Sequence, residues 1–586
     1  MARPLSGSSQ PRGARAGTVR GGATSPPRSS PSPSGGGGAG PVSGTTVLVG
    51  LFALAGVGLL VGAAVFAGGA PGASPGPAAS PATSPGAAAG GASPTPDGTA
   101  GGATAAPEET ATPEPPPAGS VELPLTLVAD VRDLRVGIST ATLAKEIAAG
   151  RVAIPCRVER LSLGGEDVAF DASTCKTPAQ VTTAVRSRTP RLGLLPPALV
   201  TPRVKVLRVG GADVFGPPSV RALDYPVVGT VTAAPDAWTA FDPAEVRTLI
   251  STGDTCPDRG VSHQANTLEK GWDWVLDGGT AEYTGTHMDR RFDGPDGNGW
   301  PVVDAVRTGN EGAMRALISD AEITLNDFEC PMTSKFRQHD TGTVFSIDPK
   351  VAPLLAGAGV DVVTLASNHM TDQGVDALRE TLDLFDENGI ARFGAGMNLS
   401  EALEPAVVEV RGIRFAFVGF NEIPGSAKAD ASTPGVAYID EATVRKGIAA
   451  ARKVADVVVV VPQWGWPEYH ANFTSRQREQ MQLFFDAGAD HVVGHGTHWA
   501  SATSITKGDR GYRFVISSHG NFLNGQDWSR QTQEGVVVEL TFVGRSLAQA
   551  RLHPYVMLDN AQANITNATS DGSFVLQQVW SNSIPR

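Results

Sequence analysis

Side chains able to ligate a cation or move a proton stand at six places in this chain where a strand-like run ends. Val246 to Thr252 runs into Gly253-Asp254, Ile323 to Phe328 into Glu329, and Val360 to Leu365 into Ser367-Asn368-His369. Val457 to Val461 runs into Pro462-Gln463-Trp464, His491 to Gly494 into His495 and His498, and Tyr512 to Ser517 into His519 and Asn521. Carboxylates, amides and imidazoles together form a hard-to-borderline O/N donor set, which suits one or two divalent cations such as Mn²⁺, Zn²⁺, Fe²⁺ or Mg²⁺. A centre of that kind clamps the attacking and leaving oxygens of a phosphoryl or acyl group and acidifies water. A lone histidine is usually a surface or satisfied core residue. His263, His287, His339, His470, His491 and His553 are left at that, because they lack the strand-end placement of His369, His495, His498 and His519.

Such a pattern needs elements that bring the strand ends to one edge. In an open α/β sheet, ligands bind beyond the carboxyl ends of the strands. After His369, Thr371 or Asp372 is placed to cap a helix with Val375, Leu378, Leu382 and Phe385 on one face, and Gly389 supplies a left-handed stop. Thr474 and Gln477 form a capping box for a helix that ends at Gly488. Strand and helix patterns alternate from about 241 to 545, which predicts an α/β domain with a largely parallel sheet. Gly535 to Phe542 and Ala550 to Leu558 are extended, so antiparallel strands close this 241–586 domain.

The 586 residues exceed what one core supports, and their charge is uneven. Residues 1–44 hold five arginines, no acid and little but Gly, Ser, Pro and Ala otherwise, the composition of a disordered tail. Val47 to Ala67 carries no charge, and at about 1.5 Å per residue a helix of this length covers roughly 30 Å, the hydrocarbon core of a bilayer. Arginines precede this 45–67 span and the next basic residue is Arg132, so the positive-inside rule predicts a single-pass cell-membrane protein with a cytoplasmic N-terminus and extracytoplasmic domains. A cleaved signal peptide is the competing reading, but the basic region and the apolar core are both too long for one. Residues 68–120, rich in Pro, Gly and Ala, read as a linker. Residues 121–235 read as a small α/β domain, in which Ser139 caps a helix with Leu143 and Ile147 inward.

All net acidity lies beyond the basic tail, and no interleaved basic and aromatic pattern marks a nucleic-acid groove. An anionic ligand would be held locally. Arg259, with Arg290 and Arg291, offers bidentate donors for it, with surface ion pairing as the equal alternative. Trp464, Trp466 and Trp499 either line a cleft or pack in the core. Exported cysteines oxidise, which favours Cys156 with Cys175 and Cys256 with Cys330; Cys256 and Cys330 also flank Asp254 and Glu329 closely enough to be metal ligands. A Cys256–Cys330 bond would stabilise by roughly 4 kcal/mol in the chain-entropy model and would fix two ligand-bearing strand ends.

Seven motifs in series resemble the CapA family of poly-γ-glutamate capsule-synthesis proteins, within the calcineurin-like metallophosphoesterase superfamily. They are STGDTCPDRGV (251–261), LNDFECPMT (325–333), VDVVTLASNHMTDQGVDALRETL (360–382), RFGAGMNLSEALEPAV (392–407), QWGWPEY (463–469), FFDAGADHVVGHGTHW (484–499) and SSHGNFLNGQDWS (517–529). The resemblance implies a four-layer α/β/β/α sandwich with metal at the strand ends. It assigns Asp254, Glu329, Asn368, His495 and His498 as metal ligands and His369 as the acid that protonates a leaving oxygen. Gln463 and His519 are further candidate ligands; Arg259, Trp464 and Asn521 are candidate substrate contacts. Three departures from the family pattern reduce the imidazole count. Asp254-Thr255-Cys256 replaces Asp-x-His, Gln463-Trp464-Gly465 replaces His-Trp-Gly, and Gly494-His495-Gly496-Thr497-His498 replaces Gly-His-His-Pro-His. A fourth, Ser518-His519-Gly520-Asn521 for Ser-Leu-Gly-Asn, returns one. One metal is better supported than two. Two functions follow from the resemblance. One is a metal-dependent, phosphoesterase-like hydrolase or transferase acting on an anionic polymer such as poly-γ-glutamate. The other is a non-catalytic polymer-binding or assembly component working with other capsule synthetase subunits.

Overall fold

Val246–Cys256 is the strand against which the rest of the molecule is registered, and every one of its residues is buried. Along one edge it pairs in parallel with Ile323–Phe328; along the other it pairs first antiparallel with Glu534–Val543 and then parallel with Asn521–Asn524. The computed structural model describes residues 119–221 and 224–584. The expected tail at 1–44, span at 45–67 and nearly all of the linker lie outside these residues. Among the described residues no helix is long and apolar enough to cross a membrane.

Two sheets build the large domain. The first has ten strands, with Val246–Cys256, Ile323–Phe328, Val362–Thr364 and Ala391–Phe393 parallel and adjacent at one end. The second has six, with Ile413–Asn421, Val457–Gln463, His491–Val493 and Gly511–Ile516 parallel at its centre. Side chains alternate across a strand, and the run Val457–Val461 shows the consequence. Val457, Val459 and Val461 join Leu249, Leu325 and Phe417 between the sheets, while Val458 and Val460 pack outward with Ile448 and Phe484 of two helices. Helix Gly374–Glu387 covers the other sheet through Leu378, Leu382 and Phe385. The layers therefore run helix, sheet, sheet, helix, and a continuous valine run is what a strand covered on both faces requires.

The C-terminal strands pair antiparallel, as the sequence predicts. Glu534–Val543 and Ser546–Leu558 sit inside the first sheet, beside Val246–Cys256, because both are buried almost throughout and need neighbours on each edge. The helix after His369 differs from the expectation at its start. It begins at Gly374 with no side-chain cap, and the Asp372 carboxylate turns instead toward His369. Residues 120–232 form two four-stranded sheets and one two-stranded sheet around a second core, where Ser139 Oγ accepts from Thr142 N at 3.1 Å and Leu143 and Ile147 are buried.

Candidate metal centre and cleft

Strand pairing carries the first donors together. Asp254 N donates to Gly520 O at 3.0 Å, an approach that Gly253 permits because a Cβ there would collide with the Gly520 carbonyl oxygen. Glu329 N donates to Thr255 O at 3.0 Å, and the Cys256–Cys330 disulfide joins the same two strand ends. Asp327 and Glu329, two apart in extended chain, fall on one face. His495 follows the His491–Val493 strand of the other sheet, held by its backbone N–H on Pro462 O at 3.0 Å.

Asp254, Asp327, Glu329 and His495 are buried, and each offers a donor atom within 4.8 Å of the others. Asp327 Oδ2 lies 2.5 Å from His495 Nδ1, Glu329 Oε1 lies 3.9 Å from it, and Asp254 Oδ2 lies 2.9 Å from His498 Nδ1. None of these approaches has hydrogen-bond geometry at Asp254 Oδ2, at either Asp327 oxygen or at either His495 nitrogen, all of which are sealed from solvent without a partner. An orphaned buried polar atom costs about 1–3 kcal/mol, more if charged. Unpartnered atoms on three of the four residues, with one donor atom from each of the four within 4.8 Å of the others, fit a cation, and carboxylate with imidazole is the donor chemistry of a divalent one.

Proton affinities report the same crowding. Burial raises the Asp327 carboxyl well above the ordinary range, and the Glu329 and Asp254 charges add to this while His495 opposes it. Burial alone would lower His495, but the charges of Asp327 and Asp254 outweigh that and push the imidazole up to about 10. Asp254 goes down, because His498 beside it overcomes the cost of burial. His519 is driven down to about 3 by burial and by the charge of His495, and neither of its ring nitrogens has a partner.

A family model described as bacterial capsule synthesis protein PGA_cap matches residues 248–526. The match covers just under half of the chain. It contains all four donors and excludes the 120–232 lobe. The PGA biosynthesis protein CapA of Bacillus subtilis (strain 168) is 31% identical over 221 residues, 37% of this chain and 57% of that protein. The capsule biosynthesis protein CapA of Bacillus anthracis is 27% identical over 260 residues, 43% of this chain and 62% of that protein. The chain thus spans less than two thirds of the length of either curated relative. The calcineurin-like phosphoesterase YfkN of Bacillus subtilis aligns with a TM-score of 0.30 at 12% identity over 57% of this chain and 97% of that one.

Within the PGA_cap segment, the other predicted residues fall into distinct environments. His498, Asn368 and His369 line a cleft of about 1350 Å³ together with Glu329, Arg259 and Tyr469. His369 Nδ1 lies 2.9 Å from Asp372 Oδ2, which leaves Nε2 as its free nitrogen, and its ring meets Phe345 edge-on at 4.6 Å. The Arg259 guanidinium lies 4.6 Å over the Phe345 ring and donates to Gly342 O. Asn368 Oδ1 accepts from Gln463 Nε2 at 2.9 Å. Gln463 is itself spent within the protein. Its Oε1 accepts from Asn368 N at 2.6 Å, and its Nε2 also reaches Glu329 Oε1 at 3.1 Å and Ser367 Oγ at 3.2 Å, so it orients ligands and offers no free oxygen.

Two expected substrate contacts are corrected. Trp464 is fully buried against Phe473 and Phe484, with Nε1 donating to Ser517 O at 2.8 Å, because it continues the outward face of its strand into the helix layer. Asn521 is also fully buried: Oδ1 lies 2.8 Å from His498 Nδ1, and Nδ2 donates to Thr532 O at 3.1 Å. It holds His498 rather than substrate. The structure adds Asp327, whose two-residue spacing from Glu329 on a strand was a readable signal. It also adds Glu468, a cleft acid raised by burial, and an aromatic wall in which Trp528 meets Trp300 at 5.5 Å and Tyr469 at 5.1 Å. Trp300 comes from the Thr280–Asp289 and Trp300–Gly309 hairpin, which carries no motif.

Proposed function

We propose that this protein works in the making of an anionic cell-envelope polymer of the poly-γ-glutamate type, and that its cleft performs metal-assisted hydrolysis or transfer at a phosphoryl or acyl centre. The convergence of unpartnered buried donors from Asp254, Asp327 and His495, beside Glu329 at the cleft floor, carries this reading. The names of the Bacillus relatives support the polymer class. A divalent cation held by these four residues would supply Lewis acidity toward a phosphoryl or acyl oxygen and toward water. Arg259 draws an anionic group of the substrate into the cleft. His369, oriented by Asp372, gives a proton from Nε2 to the departing oxygen, and the Asp372 carboxylate stabilises the imidazolium that does so. Gln463 keeps Glu329 and Asn368 in place.

The reading extends to a chain anchored by residues 45–67 with its folded part outside the cell and in contact with other synthetase subunits. Both disulfides support that compartment. A non-catalytic, polymer-gripping assembly role draws support from a different observation: Cys256, where the superfamily places an imidazole, is locked in a disulfide with Cys330. Elemental analysis of the full chain and turnover of a phosphodiester and a γ-glutamyl polymer separate the two. The catalytic reading expects bound divalent metal and activity that falls at least a hundredfold in His369→Ala and Asp254→Ala. Metal-free wild type with retained polymer binding and no turnover would leave the assembly role.

A further inference from the structure

Apart from the cleft, and sharing no lining residue with it, a cavity of about 740 Å³ opens where the 120–232 lobe meets the C-terminal strands. That volume is in the range of small-molecule sites. Lys205 lines it and is only 9% exposed, yet among the described residues no carboxylate stands within ion-pair distance of its ammonium, and no hydrogen bond is made to it. The surrounding acids are already engaged. Asp130 is held by Arg132 at 2.6 Å, Asp133 by Arg135 at 2.6 Å, and Asp213 and Glu539 by Arg551 at 2.9 and 3.2 Å. Lys205 is therefore the surplus cation of this seam. The Thr566 hydroxyl lines the same cavity, buried and without a partner. Glu282 lines it as well, but is exposed.

We infer that this seam is a binding site for a small oxyanion, a carboxylate or a phosphate, with Lys205 as its counter-charge and Thr566 as a hydroxyl donor. A buried ammonium without a counter-ion is costly, and a bound oxyanion removes that cost. Burial, followed by the charge of Arg551, lowers Lys205 to about 8, the direction expected of an unaccompanied ammonium. The site is independent of the metal centre.

Thermal melting of the full chain, titrated separately with acetate and with inorganic phosphate, tests the inference. A saturable rise in midpoint is expected with at least one probe, with apparent affinity at least tenfold weaker in Lys205→Met and several-fold weaker in Thr566→Val, while Asp254→Ala keeps the wild-type response. The probe that saturates identifies the head group. Absence of a saturable rise with either probe, or an equal response in Lys205→Met, overturns the site. If Lys205→Met fails to fold, an unchanged response in Thr566→Val overturns it instead.

Discussion

Two of the buried charge clusters among the described residues are finished differently. Around Arg551 both buried carboxylates have partners. Its guanidinium holds Asp213 at 2.9 Å, Glu539 at 3.2 Å and Val206 O at 3.0 Å, and His553 Nε2 lies 2.9 Å from the other Glu539 oxygen. Around Asp254, Asp327 and His495 the residue types are similar and the burial is as deep, but the facing atoms have no hydrogen bonds. Charge type and burial therefore do not distinguish a structural network from a ligand site. Completeness of partnering does. A closed network fixes the seam between two lobes, whereas an open one is stable only when something outside the chain completes it.

Removing one member from each cluster separates them most strongly. Arg551→Met leaves buried Asp213 with only the longer Arg208 contact at 3.4 Å and buried Glu539 with only His553 at 2.9 Å, and loss of one partner from such a pair costs about 3–5 kcal/mol. Asp327→Asn in metal-free protein relieves repulsion with Asp254 and Glu329 but gives up the charge that raises His495, so its loss in denaturant midpoint should be the smaller of the two. Equal destabilisation by both would mean that the two clusters are alike and the comparison is wrong.

Their pH responses should have opposite signs. Burial raises Glu539, but Arg551 outweighs it and brings the folded value down to about 2 from an ordinary 4.5. Its contribution is present above the unfolded value and lost as pH falls toward about 2, on the order of 3 kcal/mol in all. Asp327 is raised, so its contribution is present at low pH and lost as pH climbs through and beyond the usual carboxylate range. His495, raised to about 10, acts in the same sense: its contribution is complete below about 6.5 and is lost as pH rises through about 10. Melting in chelator should lose its acid limb in Glu539→Gln and its alkaline limb in Asp327→Asn. A wild-type alkaline limb that persists in Asp327→Asn and in His495→Ala would break the assignment.

Completing the open cluster should be visible as stability. A divalent cation at a hundred times its Kd stabilises the folded state by about 2.7 kcal/mol. Manganese or zinc should raise the melting midpoint of wild type and of His553→Gln, and should leave Asp254→Asn and His495→Ala unmoved. A rise of equal size in all four would place the cation elsewhere.

How far these features were legible in the sequence depends on the same distinction. The strand ends were readable because β-branched runs stop at polar pairs, and the structure gathers Asp254, Glu329 and His495 within 4.8 Å. The four-layer order was readable from runs such as Val457–Val461, which only strands covered on both faces tolerate. Three things were not. Asp327 hid inside a strand-like run, since its role depends on facing the same way as Glu329. The turn of Asp372 from helix cap to His369 is a competition between two local hydrogen bonds that spacing alone does not decide. Nor does an Asn-His or Gln-Trp pair reveal which member faces the cleft, because a one-residue change of phase exchanges the two faces of a strand.

The smallest test applies the distinction to single donors. Trp464 and Trp499 both follow strand ends of the second sheet, and both read as cleft or core. Trp464 Nε1 donates to Ser517 O at 2.8 Å, whereas Trp499 Nε1 is buried without a partner while its ring meets Trp300 at 5.8 Å. Phenylalanine at position 464 strands the Ser517 carbonyl and leaves a gap beside Phe484, a loss of about 1–3 kcal/mol. Phenylalanine at position 499 deletes a donor that has nothing to donate to, so its stability should stay within about 0.5 kcal/mol of wild type or rise. If Trp499→Phe costs as much as Trp464→Phe, partnering is not what sets the energetics of buried polar atoms here, and the case for a cation at the larger cluster weakens with it.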